Sequence, residues 1–294
     1  MTGRIFLTGA AGRLGAAVVE GCAGCEVIAH TRSTLDITDP QAVRQAVADA
    51  APDVVVNCAA FNDVDAAEDR PTEALAVNAF AVRSLARAAE ASDALFVHFS
   101  TDFVFDGASE RPYGEDDQPS PRSTYAATKL VGEWFALDSP RGYVLRVESL
   151  FGASQGWRGR QGSLDAIIDG LERGVEVRVF TDRVVSPSYV HDIVSAVDHL
   201  VGTSAPPGVY HCVNSGQATW YELAEESARL LGVPPRLRPI TMDSAALRAP
   251  RPRFCALANR KLADTGFPMP TWNDALRRWL AVREGSRKMD QSHG

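Results

Sequence analysis

Three side chains of this protein have the types and the spacing needed to hand a proton to a carbonyl oxygen. Tyr125 and Lys129 stand four positions apart in a segment with helical spacing, and positions i and i+4 of a helix share a face. An ammonium beside a phenol is expected to lower the pKa of the phenol and to ease proton transfer near neutral pH. Thr101 ends the strand predicted before that helix, at the edge where doubly wound sheets bind ligands. The set predicts Tyr125 as a general acid, with Thr101 polarising the same oxygen.

A glycine-rich turn near the N-terminus predicts the other reactant. Gly9, Gly12 and Gly15 follow a short apolar strand and open a helix. Close approach of the backbone to a pyrophosphate needs glycine, and a helix N-terminus attracts negative charge. In this context the G-x-x-G-x-x-G spacing predicts a dinucleotide site, against a bare turn with no ligand. The predicted reaction is hydride transfer between a nicotinamide and a carbonyl carbon, with Lys129 also holding the nicotinamide ribose.

The end of the second predicted strand bears on which dinucleotide is bound. An NAD binder usually places an acid there to hold the ribose hydroxyls, but the chain reads His30-Thr31-Arg32. Arg32, helped by Arg13, is suited to the 2′-phosphate of NADP(H). The alternative is a solvated surface arginine, which leaves NAD(H) open as the second cofactor.

The elements that must position these residues alternate through the first half of the chain. Strands are predicted at residues 4–8, 26–30, 53–59, 95–100 and 142–147, and helices at about residues 12–21, 40–51, 72–91 and 123–137. This alternation predicts an α/β fold with a doubly wound parallel sheet, a Rossmann domain.

The second half is less regular and predicts a smaller unit. Helices are predicted at residues 163–173, 190–201, 220–231 and 273–282, and strands at residues 175–180 and 209–213. We expect residues 1–150 to form the NADP(H)-binding Rossmann domain and to take back segments from about residues 175–214. Residues 151–285 then mainly form an α/β C-terminal substrate-binding lobe, and residues 286–294 a disordered tail.

Composition excludes several classes of protein. The 294 residues are 45% hydrophobic and 23% charged, with a net charge of −7, which is typical of a folded globular protein without a broad nucleic-acid or anionic-lipid surface. The N-terminus has no signal-peptide pattern, and no apolar run reaches the ~18 residues of a spanning helix. Five scattered cysteines indicate a reducing cytoplasm. Cys22 and Cys25 form a C-x-x-C without further ligands nearby, so no metal site is predicted.

Several longer stretches match the motifs of a known family. Residues 35–39 read L-D-I-T-D, residues 52–60 P-D-V-V-V-N-C-A-A, and residues 64–68 V-D-A-A-E. Residues 98–107 read H-F-S-T-D-F-V-F-D-G, and residues 125–133 carry Y-x-x-x-K-x-x-G-E. Residues 77–79 match the family's x-N-A, and looser matches lie at residues 182–188 and 251–262. With its glycine spacing, the chain resembles the extended short-chain dehydrogenases/reductases, and within them the dTDP-4-dehydrorhamnose reductases and their sugar-nucleotide-binding relatives.

The resemblance implies reduction of the 4-keto group of a nucleotide-activated 6-deoxyhexulose, converting dTDP-4-dehydro-L-rhamnose to dTDP-L-rhamnose with NADPH. It implies the catalytic set Thr101, Tyr125 and Lys129. It implies cofactor contacts from Gly9, Ala11, Gly12, Arg13, Leu14, Gly15, Arg32, Asp36, Ile37, Cys58, Ala59, Ala60, Asn78, Tyr125 and Lys129, with Asp36 near the adenine. It implies substrate contacts from Thr101, Asp102, Phe103 and Arg251.

The substrate half departs from the family pattern, which leaves the exact sugar open. The family often has S-W-V-Y after the fifth strand, where this chain has Ser149-Leu150-Phe151-Gly152. The D-Q of the later motif is Asp182-Arg183 here. Trp157, Arg158 and Arg160 lie near the expected sugar cleft, and the arginines, like Arg251, are candidates to grip the diphosphate or are plain surface residues.

Two other functions stay open on the sequence. A sugar-nucleotide epimerase or dehydratase would use the same scaffold, but dehydratases follow the active-site Thr with Asp-Glu, and Phe103 follows Asp102 here. A non-catalytic dinucleotide-binding subunit, similar to the methionine adenosyltransferase beta subunits, would not need the intact Thr101, Tyr125 and Lys129. The expected partner is a nucleotide-sugar substrate, with no nucleic acid or membrane, and the chain acts as a monomer or a homodimer.

Overall fold

Strands and helices alternate through the first half of the chain, as the sequence predicts. The computed structural model describes residues 3–22, 24–154, 157, 159 and 161–292. Its strands are β1 Gly3–Thr8, β2 Cys25–His30, β3 Val54–Asn57, β4 Leu95–Thr101, β5 Gly142–Val147, β6 Leu150–Phe151, β7 Val177–Phe180, β8 Val184–Val185, β9 Ser188–Tyr189, β10 Gly208–His211, β11 Ala218–Thr219 and β12 Leu237–Ile240.

The helices cover the connections between these strands. They are α1 Arg13–Gly21, α2 Pro40–Ala50, α3 Val64–Asp69, α4 Pro71–Leu75, α5 Ala81–Ala91, α6 Thr124–Leu137, α7 Ser163–Glu172, α8 Val190–Gly202, α9 Trp220–Leu231, α10 Arg260–Asp264 and α11 Trp272–Ser292. Short 3₁₀ turns lie at Asp102–Val104 and Met242–Ser244.

The largest sheet has six strands in the order β10-β5-β4-β3-β1-β2, and each neighbouring pair is parallel. The predicted doubly wound parallel sheet is therefore confirmed. The chain places β2 on one side of β1 and β3 on the other. Connections leave the carboxyl ends of β1 and β3 in opposite directions, which opens a crevice where such sheets bind ligands.

The single helix expected over residues 72–91 is interrupted. Between α4 and α5 lies a π-helical turn, Ala76–Phe80, which adds a residue to the helical path and is frequent at functional sites. Apolar residues continue on both sides of this turn, so the spacing alone does not reveal it.

Two sets of apolar side chains flank the large sheet, and a third forms a separate core. Between one face of the sheet and helices α1 and α8 lie Leu14, Val18, Ile193 and Val197, among others. The other face packs on α2 and α5. The separate core joins α7, α9 and α11 through Leu164, Ile168, Leu223, Leu276 and Trp279, among others.

Two elements of the second half join the large sheet and the helices that cover it. Strand β10 pairs with β5, and α8 packs against α1. Strand β7 pairs instead with β12, in a small parallel sheet of its own.

The last helix is longer than the sequence predicts. Helix α11 runs to Ser292, beyond the end expected at residue 282 and through most of the tail expected from residue 286. The segment has no proline and is rich in Arg, Glu, Lys and Met, which favour helix. No helix in the described part of the chain is both long and apolar enough to cross a bilayer.

Candidate active site

A cleft of about 520 Å³ lies at the carboxyl ends of β1, β2 and β3. Its walls include most of the residues that the resemblance assigns to the cofactor. These are Gly9, Ala11, Gly12, Arg32, Asp36, Ile37, Cys58, Ala59 and Ala60.

Glycine is required in the turn after β1 because the backbone segments nearly touch. Gly9 has φ +72°, and a Cβ there would lie 2.5 Å from the backbone nitrogen of Ala59. A Cβ on Gly15 would lie 2.2 Å from the carbonyl oxygen of Gly9. Gly12 precedes α1 with no side-chain cap on the first N–H groups. The turn therefore leaves a narrow cradle before the uncapped N-terminus of α1, which suits a diphosphate.

Arg32 and Asp36 stand on the far wall of the cleft. The Arg32 side chain is 95% exposed, and its nearest carboxylate is that of Glu73, 4.0 Å away. Asp36 Oδ1 accepts hydrogen bonds from the Thr38 hydroxyl at 2.7 Å and the Thr38 N–H at 2.9 Å, and these bonds hold the pKa of Asp36 below its usual value. Arg32 is thus available to a phosphate, whereas the Asp36 carboxylate is held by its own loop.

The structure does not bring Arg13 to Arg32. The Arg13 guanidinium donates to the Gly152 carbonyl at 2.7 Å, forms an ion pair with Asp165, and lies 4.8 Å from the Trp157 ring centroid. Trp157 Nε1 also donates to the Ala11 carbonyl at 3.1 Å, so this ring lies at the glycine turn. Arg158 and Arg160 lie outside the described residues.

Two more predicted cofactor residues are inside the protein. Leu14 belongs to the core under the sheet. Asn78, in the π turn, accepts from the Phe61 N–H at 2.8 Å and donates to the Phe61 carbonyl and the Thr128 hydroxyl, each at 3.1 Å. Asn78 therefore holds the loop after β3 against α6, and Phe61 in that loop lines the cleft.

Lys129 lies beside the end of β4, with a buried ammonium. Its Nζ donates to the Phe99 carbonyl at 2.6 Å. Burial lowers the pKa of Lys129 to about 8, although the nearby carboxylate of Glu133 and the thiol of Cys58 oppose this. Because Cys58 lines the cleft, Lys129 stands just behind its wall.

Tyr125 lies one turn before Lys129 on α6, and it faces Thr101. The Thr101 hydroxyl donates to Asp102 Oδ1 at 2.9 Å and accepts from the Phe103 N–H at 3.2 Å, and the Phe103 ring meets the Tyr125 ring edge-on at 5.8 Å. Burial raises the pKa of the Tyr125 phenol, while a hydrogen bond from Thr101 lowers it by less. The expectation that Lys129 lowers this pKa is wrong, because desolvation is the largest effect on the phenol and the ammonium is held by the Phe99 carbonyl.

The structure places Arg251 in an ion pair. Its guanidinium donates to both carboxylate oxygens of Asp65 at 2.9 and 3.0 Å, and the Ala249 N–H adds a bond to Oδ1 at 2.9 Å. Hydrogen bonding by Arg251 is the main reason that the pKa of Asp65 is lowered.

Three residues next to Asp102 were missed from the sequence, of which Glu148 and Cys255 are buried and Arg183 is half-buried. Glu148, Arg183 and Cys255 surround its carboxylate, and polar atoms of Asp102, Glu148 and Cys255 all lie within 4.8 Å of one another. The sequence signals that could have revealed these residues were the two departures from the family pattern, at residues 149–152 and 182–183. Glu148 directly precedes the altered Ser149 segment, and Arg183 is the altered residue of the D-Q motif.

Comparison with known proteins identifies the family. The family model described as the RmlD substrate binding domain matches residues 3–284. The chain belongs to this family. A relative named dTDP-4-dehydrorhamnose reductase, from Mycolicibacterium smegmatis, is 39% identical over 97% of this chain and 88% of its own. A Streptomyces antibioticus relative named probable dTDP-4,6-dihydroxy-2-methyloxan-3-one 4-ketoreductase is 38% identical over 93% of each chain.

Solved structures of family members have the same fold. The crystal structure of the dTDP-4-dehydrorhamnose reductase of Bacillus anthracis, in complex with NADP, superposes with a TM-score of 0.90. It is 29% identical and covers 96% of this chain and 100% of its own. An RmlD-family protein with this similarity therefore binds NADP in the crystal.

Proposed function

We propose that the protein is an NADPH-dependent reductase of the 4-keto group of a dTDP-activated 6-deoxyhexulose, with dTDP-4-dehydro-L-rhamnose as the first substrate to test. The observation that carries this proposal is the meeting of Thr101, Tyr125 and Lys129 at the carboxyl end of β4. They stand beside a glycine cradle that a Cβ would fill. The names of the RmlD-family relatives support the substrate class.

Each residue then has a defined task. NADPH, when bound, supplies the hydride. The cradle of Gly9, Gly12 and Gly15 binds its diphosphate, and Arg32 pairs with the 2′-phosphate. Asp36, Ile37, Ala59 and Ala60 form the wall around the adenosine half.

The residues that act on the substrate carbonyl oxygen lie at the carboxyl end of β4. Tyr125 gives its proton to the oxygen as negative charge develops there, and its raised pKa keeps it in the acid form. Thr101 donates a hydrogen bond to the same oxygen. Lys129 holds the nicotinamide ribose, and Asp102 and Phe103 contact the sugar.

Replacement of Tyr125 tests the mechanism. Purified protein with NADPH is incubated with a panel of nucleotide 4-keto-6-deoxysugars, and oxidation of NADPH and the product are followed. Tyr125→Phe should lower kcat by about 10²–10⁴-fold, the usual contribution of a general acid, with NADPH binding retained. Tyr221→Phe, which removes the same hydroxyl from α9, is the matched control. Near-full turnover by Tyr125→Phe would remove the proposed acid, and no oxidation by wild type across the panel would favour a non-catalytic role.

We further propose that the core of α7, α9 and α11 belongs to a substrate-binding lobe formed mainly by residues 151–285. The protein is proposed to act in the cytoplasm, as a monomer or a homodimer. The five cysteines, all among the residues that the structure describes, form no disulfide, which supports a reducing compartment. Sedimentation of the purified protein measures the oligomeric state.

A further inference from the structure

A buried cluster of charged groups lies directly behind the proposed reaction centre. Asp102 and Glu148 are each 3% exposed, and the three ligand atoms of Asp102, Glu148 and Cys255 lie within 4.8 Å of one another. Arg183 closes the cluster, with its guanidinium 5.3 Å from the Phe103 ring centroid and Nη2 4.0 Å from Cys255 Sγ. The cluster therefore contains two carboxyl groups, one guanidinium and one thiol.

Hydrogen bonds satisfy only part of this cluster. Glu148 Oε1 accepts from the Ser186 N–H at 2.6 Å, and Asp102 Oδ1 accepts from Thr101 at 2.9 Å. Among the described residues, the second oxygens of both carboxyl groups, Asp102 Oδ2 and Glu148 Oε2, and Arg183 Nε are buried without a hydrogen-bond partner.

The charges of the cluster do not balance if both carboxyl groups are ionised. Two carboxylates and one guanidinium leave one uncompensated negative charge, which is costly away from water. One bound proton removes that charge. Two carboxyl groups that share a buried site commonly keep such a proton, which belongs to the pair rather than to either residue.

We propose that Asp102 and Glu148 hold one proton between them, balanced by Arg183, and deliver it through the Thr101 hydroxyl to Tyr125. This inference rests on the proposed reductase function. The Thr101 hydroxyl connects the two ends, because it lies 2.9 Å from Asp102 Oδ1 and faces the phenol. When Asp102 carries the shared proton, the carboxyl group donates this bond to the Thr101 oxygen. Glu148 acts through Asp102 and Thr101, so it is a positioning residue and proton source that does not itself contact the substrate.

Each transfer conserves protons and involves no change in oxidation state. Once Tyr125 has protonated the new alkoxide, the Thr101 hydroxyl turns from the product oxygen to the phenolate and passes its proton there, while the neutral carboxyl group of Asp102 gives its own proton to the Thr101 oxygen. The pair is then fully ionised beside Arg183 and takes a proton from water before the next turnover.

The direction of the pKa shifts agrees with this arrangement. Burial raises the pKa of Asp102, although Arg183 and hydrogen bonds oppose it. Burial and the neighbouring Asp102 carboxylate raise the pKa of Glu148 well above its usual value, against Ser186 and Arg183. Burial and the two carboxylates also raise the pKa of Cys255, while Arg183 lowers it, so the thiol adds no negative charge. Among the residues that the structure describes, Arg183, Cys255 and the Tyr125 phenol are the charged or titratable groups that face the pair.

A divalent cation is the competing occupant, since two carboxylates and a thiolate can ligate zinc. Arg183 disfavours it by placing a positive charge 4.0 Å from the thiol. Metal analysis of the protein purified without chelator therefore belongs in the test. A stoichiometric metal lost in Glu148→Gln would overturn the proton-sharing proposal.

Infrared spectroscopy of the whole protein tests the shared proton without any substrate. At pH 8, wild type should show the carbonyl band of a neutral carboxylic acid, which Glu148→Gln removes. Asp192→Asn is the matched control, because Asp192 is also buried but both its oxygens are bonded by Arg278; it should leave the band unchanged. Absence of the band in wild type would overturn the proposal.

Kinetics test the delivery step separately. Glu148→Gln should lower kcat by about tenfold, less than loss of the acid itself, and enlarge the solvent deuterium isotope effect, with Kd for NADPH unchanged. Glu148→Asp should restore the band and part of kcat. A band that disappears while kcat and the isotope effect stay at wild-type values would refute the relay. If wild type reduces no keto sugar, the proposed function fails, while the infrared result still decides whether the proton is shared.

Discussion

The protonation state of Lys129 should set an alkaline limit on activity. Its ammonium is buried against the Phe99 carbonyl, and burial lowers its pKa to about 8. The phenol of Tyr125 cannot produce this limit, because burial raises its pKa. Glu133, one helical turn after Lys129 on α6, opposes the lowering. Raising the pH and removing the Glu133 charge are therefore two ways to discharge the same ammonium.

The size of the pH effect follows from the pKa. With a value of about 8, roughly nine-tenths of the free enzyme carries the Lys129 charge at pH 7 and about one-tenth at pH 9. If only the charged form is active, kcat/KM should fall about tenfold between these two pH values and about tenfold per unit beyond. Steady-state NADPH oxidation from pH 6 to pH 10 measures this profile, and kcat/KM reports the free enzyme.

Glu133→Gln should move the midpoint of this fall to lower pH, since it removes a charge that favours the ammonium. Glu133 receives two hydrogen bonds from Arg146. Glu226→Gln is a matched control, because Glu226 likewise receives two hydrogen bonds from an arginine, Arg229, but lies on α9. That variant should keep the wild-type midpoint. A profile that stays flat to pH 10, or a midpoint that Glu133→Gln leaves in place, would contradict the assignment of the limit to Lys129.

Three further substitutions test the cofactor site and the frame around it. Arg32→Ala should raise KM for NADPH by about tenfold, as expected for loss of a charged hydrogen bond, and should leave KM for NADH unchanged. The control variant Arg87→Ala should leave KM for NADPH unchanged. An equal rise in KM for NADH in Arg32→Ala would contradict the 2′-phosphate contact. Gly9→Ala should abolish NADPH binding by fluorescence titration, because its Cβ would lie 2.5 Å from a backbone nitrogen; wild-type affinity would show that the turn can relax. Arg146→Met should lower the free energy of unfolding in urea by about 3–5 kcal/mol, since it leaves the buried Glu133 unpaired. Glu133→Leu with Arg146→Met should recover most of that loss, and an equally unstable double variant would contradict it.

Local patterns predicted the elements and their order well. The apolar run after Pro52 and the glycine turn after β1 depend on neighbours in sequence, so the parallel sheet and the Thr101 strand end could be predicted. The π turn around Asn78 could not, because the side-chain bonds of Asn78 run to Phe61 in a different loop, which local spacing does not report.

Contacts between residues that are far apart in the sequence were the main feature that could not be predicted. Arg251 pairs with Asp65 across 186 positions, and Arg13 reaches Gly152 across 139. The spacing of apolar residues within one helix or strand carries no information about such pairs. The pKa of Tyr125 was mispredicted for the same reason, since its burial depends on packing against Phe103 and neighbouring apolar residues.

The Arg13 contacts have a kinetic consequence. The first residue of α1 ties the glycine turn to the Gly152 carbonyl and to Asp165 at the start of α7. A dinucleotide that immobilises the turn would also immobilise the beginning of the second half of the chain, where the sugar is expected. We therefore expect compulsory-order binding, with NADPH first and the sugar nucleotide second. Product-inhibition patterns would reveal this order, and Arg13→Met should make the binding random.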